Sequence, residues 1–184
     1  PIDSILNSHE LLTNEQLDPL EKTVMEAELL ERTRYTSDML LNLMTWAKAQ
    51  MSGVTVNLQQ LDLPELIENT THNKLAVADK KGIRMTTDIE SGLRAWGDKD
   101  MLQIILRNLV NNAIKFTRPG GEVAVKAIHS GNEIIISVSD SGIGMTDEKQ
   151  TEIFSLRSGA TYGTNNERGI GLGLRMCKEF IEYQ

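Results

Sequence analysis

Apolar positions change their spacing near residues 51–54, and the elements they predict change with it. Before that point they recur only at helical spacing. Ile2, Ile5 and Leu6, then Leu11 and Leu12, outline a first amphipathic stretch that breaks at Thr13-Asn14-Glu15 and Pro19. A polar turn followed by a proline suits a new helix, because the missing N–H costs nothing in a first turn. The longer helix is predicted from about Pro19 to Ala49. Leu40, Met44, Ala47 and Met51 share one of its faces and form a seam for a partner helix, which Thr33 and Ser37 interrupt farther up. Two helices joined by a short turn bury little alone. They either dimerise into a four-helix bundle or pack as a hairpin on their own domain.

After Gly53, strand and helix patterns alternate. Val54, Val56 and Leu58 step by two and predict a strand. Asp62-Leu63-Pro64-Glu65 has the form of a capping box with a proline in the first turn, so a helix should run to about Lys80, ended by Gly82. Ile83, Met85, Thr87 and Ile89 give the next strand, and Asp98 can cap a helix that continues to about Phe116. Pro119-Gly120-Gly121 is a turn. Beyond it Val123, Val125 and Ala127 pair with Ile134, Ile136 and Val138 across Gly131-Asn132. The layers are therefore α/β.

Composition narrows the function classes. The chain's 184 residues hold one sizeable domain, or a small one and a modest one. A formal charge of −7 leaves no basic face for nucleic acid or for anionic membrane, and no apolar run is long enough to cross a bilayer. The single cysteine, Cys177, excludes an intrachain disulfide framework and fits a reducing compartment. With no initiator methionine before Pro1-Ile2-Asp3, the sequence reads as part of something longer.

Three segments carry candidate chemistry. On a helical wheel, advancing about 100° per residue, Asn112 falls about 40° from Asn108 and Lys115 about 20° to the other side, so the three share one stripe. Leu102, Ile105, Leu106, Leu109, Ala113 and Phe116 centre on another face, about 110° away. Amide oxygens are hard neutral ligands suited to Mg²⁺, and an ammonium at the stripe's edge suits phosphate; a solvated polar face has the same composition. Asp140-Ser141-Gly142-Ile143-Gly144 comes directly after the second hairpin strand. Alternation puts Asp140 on the core side with Ile134, Ile136 and Val138, where a carboxylate needs a partner such as a purine's exocyclic amine; a tight turn after a strand would look alike. Gly169-Ile170-Gly171-Leu172-Gly173-Leu174 precedes a helical run and could offer free backbone N–H groups to phosphate. The intervening residues, Ser155 to Arg168, are rich in Gly, Ser, Thr and Asn, a composition that suits a lid or an ordinary loop.

Taken in order and spacing, Asn108-Leu109-Val110-Asn111-Asn112-Ala113-Ile114-Lys115-Phe116-Thr117 and the two glycine segments resemble the N box and glycine boxes of sensor histidine kinases. The resemblance runs nearly end to end. It implies an α+β chain: a dimerisation and histidine-phosphotransfer hairpin over residues 1–53, forming a dimeric four-helix bundle, then an ATP-binding sandwich of the Bergerat type over residues 54–184 that lacks its last strand pair. It further implies that Asn112 and Asn108 hold Mg²⁺ with ATP, that Lys115 contacts phosphate, and that Asp140 accepts from the adenine amine. Phe116 would border the nucleotide. Gly142, Gly144, Gly169, Gly171, Leu172 and Gly173 would shape the pocket. Related Bergerat ATPases carry a water-activating glutamate where this chain has Asn108, and an amide cannot take up a proton. The resemblance therefore implies phosphoryl transfer to a histidine, and from there to a response regulator, over steady ATP hydrolysis. A non-catalytic dimerisation or docking module is the other reading.

Of the three histidines, His9 lies in Ser8-His9-Glu10-Leu11-Leu12-Thr13-Asn14, which is similar to the family's acceptor motif but has Asn14 in place of its proline. The helix also turns almost at once there. Pro1-Ile2-Asp3-Ser4-Ile5-Leu6 is similar to the family's residues just past the acceptor, so the expectation is an acceptor before Pro1, no catalytic residue within the chain, and no self-phosphorylation. His72 and His129 lack metal-ligand spacing. A homodimer through the N-terminal helices, a receiver-domain partner and a cytoplasmic location complete the expectation, with membrane anchoring of the parent protein left open.

Overall fold

The structure is a computed structural model that describes residues 55–154, 163–165 and 173–184, together with residues 18, 21–27, 29–30, 33, 36–37, 40 and 44. The chain divides into two compact units, Pro1–Thr55 and Val56–Gln184. In the first, residues 21–27 and 29–30 are helical, as are 33, 36–37, 40 and 44. Leu40 and Met44 of the predicted seam are 45% and 69% exposed, so these two are not covered within a single chain. Ala47 and Met51 lie outside the described residues, as does His9. Among the described residues no helix is long and apolar enough to cross a membrane.

The second unit begins with a correction. Residues 55–58 form no strand. The strand β1 is Gln59–Asp62, paired antiparallel with β3, Arg94–Gly97. The reason lies at Asn57, whose amide N–H donates to Asp98 Oδ2 at 2.9 Å instead of entering a ladder. The strand β3 has no counterpart among the predicted elements, because four residues around an exposed Trp96 leave only Ala95 and Gly97 facing inward.

Helix α1, Leu63–Lys80, starts where Asp62 accepts from the amide of Glu65, with Pro64 in the first turn. It ends before Gly82, whose φ of +71° lies in the left-handed region that glycine adopts without a Cβ clash. β2 is Arg84–Ile89. Helix α2, Lys99–Phe116, leads to β4, Glu122–Ser130, and a hairpin returns as β5, Glu133–Asp140. The sheet order is β2-β4-β5, with β2 and β4 parallel and β4 and β5 antiparallel. α1 packs against β2 and α2, and α2 against β4 and β5. The core joins Leu63, Leu66 and Ile67 of α1 to Leu106, Val110 and Ala113 of α2 and to Val123, Val125 and Ala127 of β4. Each Leu, Ile or Val among them contributes about 1.5–3 kcal/mol by leaving water. The opposite face of the sheet is exposed at Thr86, Asp88, Lys126, Ile128 and Ile135, with Lys126 pairing Asp88 at 3.3 Å. Two short helices complete the unit: α3, Asp147–Glu152, and α4, Gly173–Glu182.

The apolar face of α2 also differs from expectation. Leu102, Leu109 and Phe116 are only partly buried, while Met101, Ile104, Val110 and Ile114 are buried. The helix is covered on two sides. One meets the sheet; the other meets α4, whose Met176, Cys177 and Phe180 are buried and whose Cys177 thiol donates to the Ile105 carbonyl at 3.8 Å.

Asp98 begins this helix and is 8% exposed. Its Oδ1 accepts from the amides of Asp100 and Met101, its Oδ2 from that of Asn57, and its own N–H donates to Gln184 Oε1. Replacing it strands three donors at the start of the central helix. Asp98→Ala is expected to cost about 2–3 kcal/mol, with Asp98→Asn losing less. Thermal unfolding followed by circular dichroism checks this, and an unchanged melting temperature for the alanine variant contradicts it.

Candidate functional site

The side of α2 that α4 covers is apolar only in its first half. Met101, Ile104 and Ile105 occupy the same azimuth as Asn108, Asn112 and Lys115, by the geometry of about 3.6 residues per turn. α4 begins at Gly173, beside Asn108. A Cβ built on Gly173 would stand 2.9 Å from Asn108 Oδ1, so the glycine permits this approach. The stripe turns polar at Asn108, the residue that Gly173 abuts. Asn108, Asn112, Lys115 and Phe116 are all half-buried there.

Asn108 donates from Nδ2 to the carbonyl of Ile104 at 3.1 Å, which fixes its amide and leaves Oδ1 on the Gly173 side. Asn112 makes no side-chain hydrogen bond to a described residue. The ammonium of Lys115 lies 4.6 Å from the centroid of the Phe116 ring, a cation–π contact. The two amide oxygens are hard, neutral donors on one face, a turn apart. They can supply part of an octahedral shell for a cation that takes its remaining ligands from phosphate and water. Among the described residues no group of three His, Cys, Asp or Glu side chains could hold a metal.

The first glycine segment meets the other end of the stripe. Asp140 is on the predicted side of β5 but is exposed, a correction to the expected core position. Strand parity settles the side, not what covers it, and here the strand runs out beyond the helix layer. Asp140 Oδ1 accepts from the amide of Gly142 at 2.9 Å, and its second oxygen has no partner among the described residues. Ser141 ties the loop to β4: its hydroxyl accepts from the Glu122 amide and its own amide donates to the Glu122 carbonyl. Ile143 donates to the Phe116 carbonyl at 3.1 Å, and Gly144 has a φ of +66°. A Cβ at Gly142 would come within 2.5 Å of the Phe116 carbonyl oxygen. The structure thus brings Asn108, Asn112, Lys115, Phe116, Asp140, Gly142, Gly144 and Gly173 to one helix, the loop at its C-terminal end and the first residue of α4. Gly169, Gly171 and Leu172 lie outside the described residues, and between Ser155 and Arg168 only residues 163–165 are described.

Two residues at this site carry little or no signal in the sequence. Lys81 donates from Nζ to the carbonyls of Ile114 and Lys115, at 2.8 and 2.9 Å. Thr164 donates from its amide and its hydroxyl to the Lys115 carbonyl, both at 3.1 Å, and from the hydroxyl to the Thr117 carbonyl at 2.9 Å. A lysine just past one helix is a weak pointer to the end of another. Thr164 offers none.

The remaining reactive groups lie apart from the site. Burial pushes the Cys177 thiol up to about 12, so no thiolate forms there at neutral pH. His72 is exposed on α1, and His129, exposed near the end of β4, has its Nδ1 2.9 Å from Glu90 Oε1. The backbone N–H of His129, and then its ring, hold Glu90 below the usual carboxylate range.

Seating of the Asp140–Gly144 loop can be tested directly. Gly142→Ala forces the loop off the end of α2 and breaks the Ile143–Phe116 bond, at an expected cost of about 1–3 kcal/mol in urea unfolding. Stability equal to that of the parent chain would show that the loop does not sit on the helix.

Residues 97–184 match the family described as histidine kinase-, DNA gyrase B-, and HSP90-like ATPase. The adaptive-response sensory kinase SasA of Thermosynechococcus vestitus is 30% identical over 155 residues, which cover 82% of this chain and 40% of that protein. The chain spans less than half the length of the curated relatives it matches. Among solved structures, the catalytic domain of histidine kinase ThkA aligns with a TM-score of 0.61 at 28% identity, covering 69% of this chain and 81% of that one. Full-length ShkA in complex with AMPPNP aligns with a TM-score of 0.64 at 25% identity, covering 97% of this chain and 40% of that one.

Proposed function

Since the chain carries the ATP-binding domain of a sensor histidine kinase, we propose that it holds Mg²⁺–ATP along the Asn108–Asn112–Lys115 stripe and serves transfer of the γ-phosphoryl group to a histidine. The observation that carries this reading is the change of the stripe from apolar to polar at Asn108, which Gly173 abuts. Asp140, with one oxygen committed to Gly142 and the other without a partner among the described residues, would accept from the adenine amine. Lys115 and Phe116, at the stripe's far end, would meet a phosphate oxygen and border the base. Asn108 and Asn112 would hold the metal, which when bound offsets charge on the phosphates. ShkA, which was solved in complex with AMPPNP, supports a nucleotide as the ligand of this fold.

The same residues argue against hydrolysis as the main activity. Asn108 stands where related ATPases carry their water-activating glutamate. Its amide, tied to the Ile104 carbonyl, has no basic lone pair with which to take a proton. Residues 1–53 would form the dimerisation and phosphotransfer hairpin and residues 54–184 the catalytic domain. The uncovered Leu40 and Met44 support pairing of two copies into a four-helix bundle. A response-regulator receiver domain would then take the phosphoryl group.

Isothermal titration with a non-hydrolysable ATP analogue, with and without Mg²⁺, tests the site. Binding that strengthens with Mg²⁺ is expected. Asp140→Asn should weaken it about 10-fold or more, the worth of a hydrogen bond to a charged group. Asn112→Ala should remove most of the Mg²⁺ dependence. Binding unchanged by both substitutions contradicts the assignment and favours a non-catalytic docking module.

A further inference from the structure

Four consecutive carbonyls at the end of α2, those of Ile114, Lys115, Phe116 and Thr117, each accept from another part of the chain. The Phe116 carbonyl takes the amide of the Asp140–Gly144 loop, and the Ile114 carbonyl takes Lys81 Nζ. The Lys115 carbonyl is the most heavily used, with Lys81 Nζ, the Thr164 amide and the Thr164 hydroxyl all within 3.1 Å. Thr164 alone grips both sides of Phe116, through Lys115 and Thr117. It therefore sets the backbone on which the Lys115 ammonium and the Phe116 ring are stacked.

We propose that Thr164 is a positioning residue for the phosphate-binding end of the nucleotide site, acting through the Lys115 carbonyl with Lys81 as its fixed counterpart. This rests on the nucleotide-binding reading given above. Thr164 touches neither Asp140 nor its loop among the hydrogen bonds at this end of the helix. Its hold therefore bears most on the lysine that meets phosphate and leaves the contact of Asp140 with the adenine amine as it is. The hydroxyl is the active group, since it bridges two carbonyls that a methyl cannot.

The test compares ATP with adenosine on the full chain, by NMR titration, for Thr164→Val and Thr164→Ser. Thr164→Val should weaken ATP about fivefold, the value of one hydrogen bond, while adenosine, which keeps the Asp140 contact and has no phosphate for Lys115, loses clearly less. Thr164→Ser, which keeps the hydroxyl, should restore the ATP affinity. ATP binding by the valine variant equal to that of the parent overturns the proposal. So does an equal loss for ATP and adenosine together with a lowered melting temperature, which would mark Thr164 as support for the fold alone. A parent chain that binds neither ligand would bring down the nucleotide reading itself, and the positioning role with it.

Discussion

An α-helix ends with carbonyls that have no amide of their own helix to accept from, and α2 ends inside the domain, where water cannot serve all of them. The remainder of the site depends on how that need is met. Lys81 comes from the end of α1, Ile143 from the loop after β5, and Thr164 from the segment before α4. Three separate stretches of chain are held in register because each fills part of one unmet demand. A cation among the donors also suits the negative end of the helix dipole. The same geometry that completes the helix brings the Asp140–Gly144 loop to the end of the stripe that carries Lys115 and Phe116.

The first half of the stripe makes an apolar contact. α4 lays Met176, Cys177 and Phe180 against α2 and begins at a glycine that abuts Asn108. Packing and function thus use one azimuth of one helix, divided near Asn108. The opposite azimuth meets the sheet, which explains why a single 18-residue helix anchors both the core and the proposed site.

Much of this is legible in the sequence where the governing signal is local. Asp62 and Asp98 cap the helices their positions predict, Gly82 ends α1, and the β4–β5 hairpin turns at Gly131-Asn132 as its pattern requires. The polar stripe and the first glycine loop do come together. The features that local pattern cannot show depend on distant partners. The β3 strand exists through β1, the shift of β1 arises from Asn57 binding Asp98, and the second apolar face of α2 exists through α4. A wheel averaged over the whole helix hides a stripe that is apolar in one half and polar in the other. Asp140 shows the same limit, since alternation names a side of the strand without saying what stands there. Lys81 and Thr164 act on carbonyls far from them in the chain, and no residue type announces that.

The central claim is that one stripe of α2, bounded by Gly173 and by the Asp140–Gly144 loop, is where the nucleotide lies. Titration of ¹⁵N-labelled chain with ADP and Mg²⁺, monitoring backbone amides and asparagine side-chain amides, tests it most directly. The account predicts that the largest shifts fall on the side chains of Asn108 and Asn112 and on the backbone of Lys115, Gly142 and Gly173, with the outer sheet face at Asp88 and Lys126 unmoved. Shifts centred on that outer face, or none along the stripe at saturating nucleotide, would contradict it.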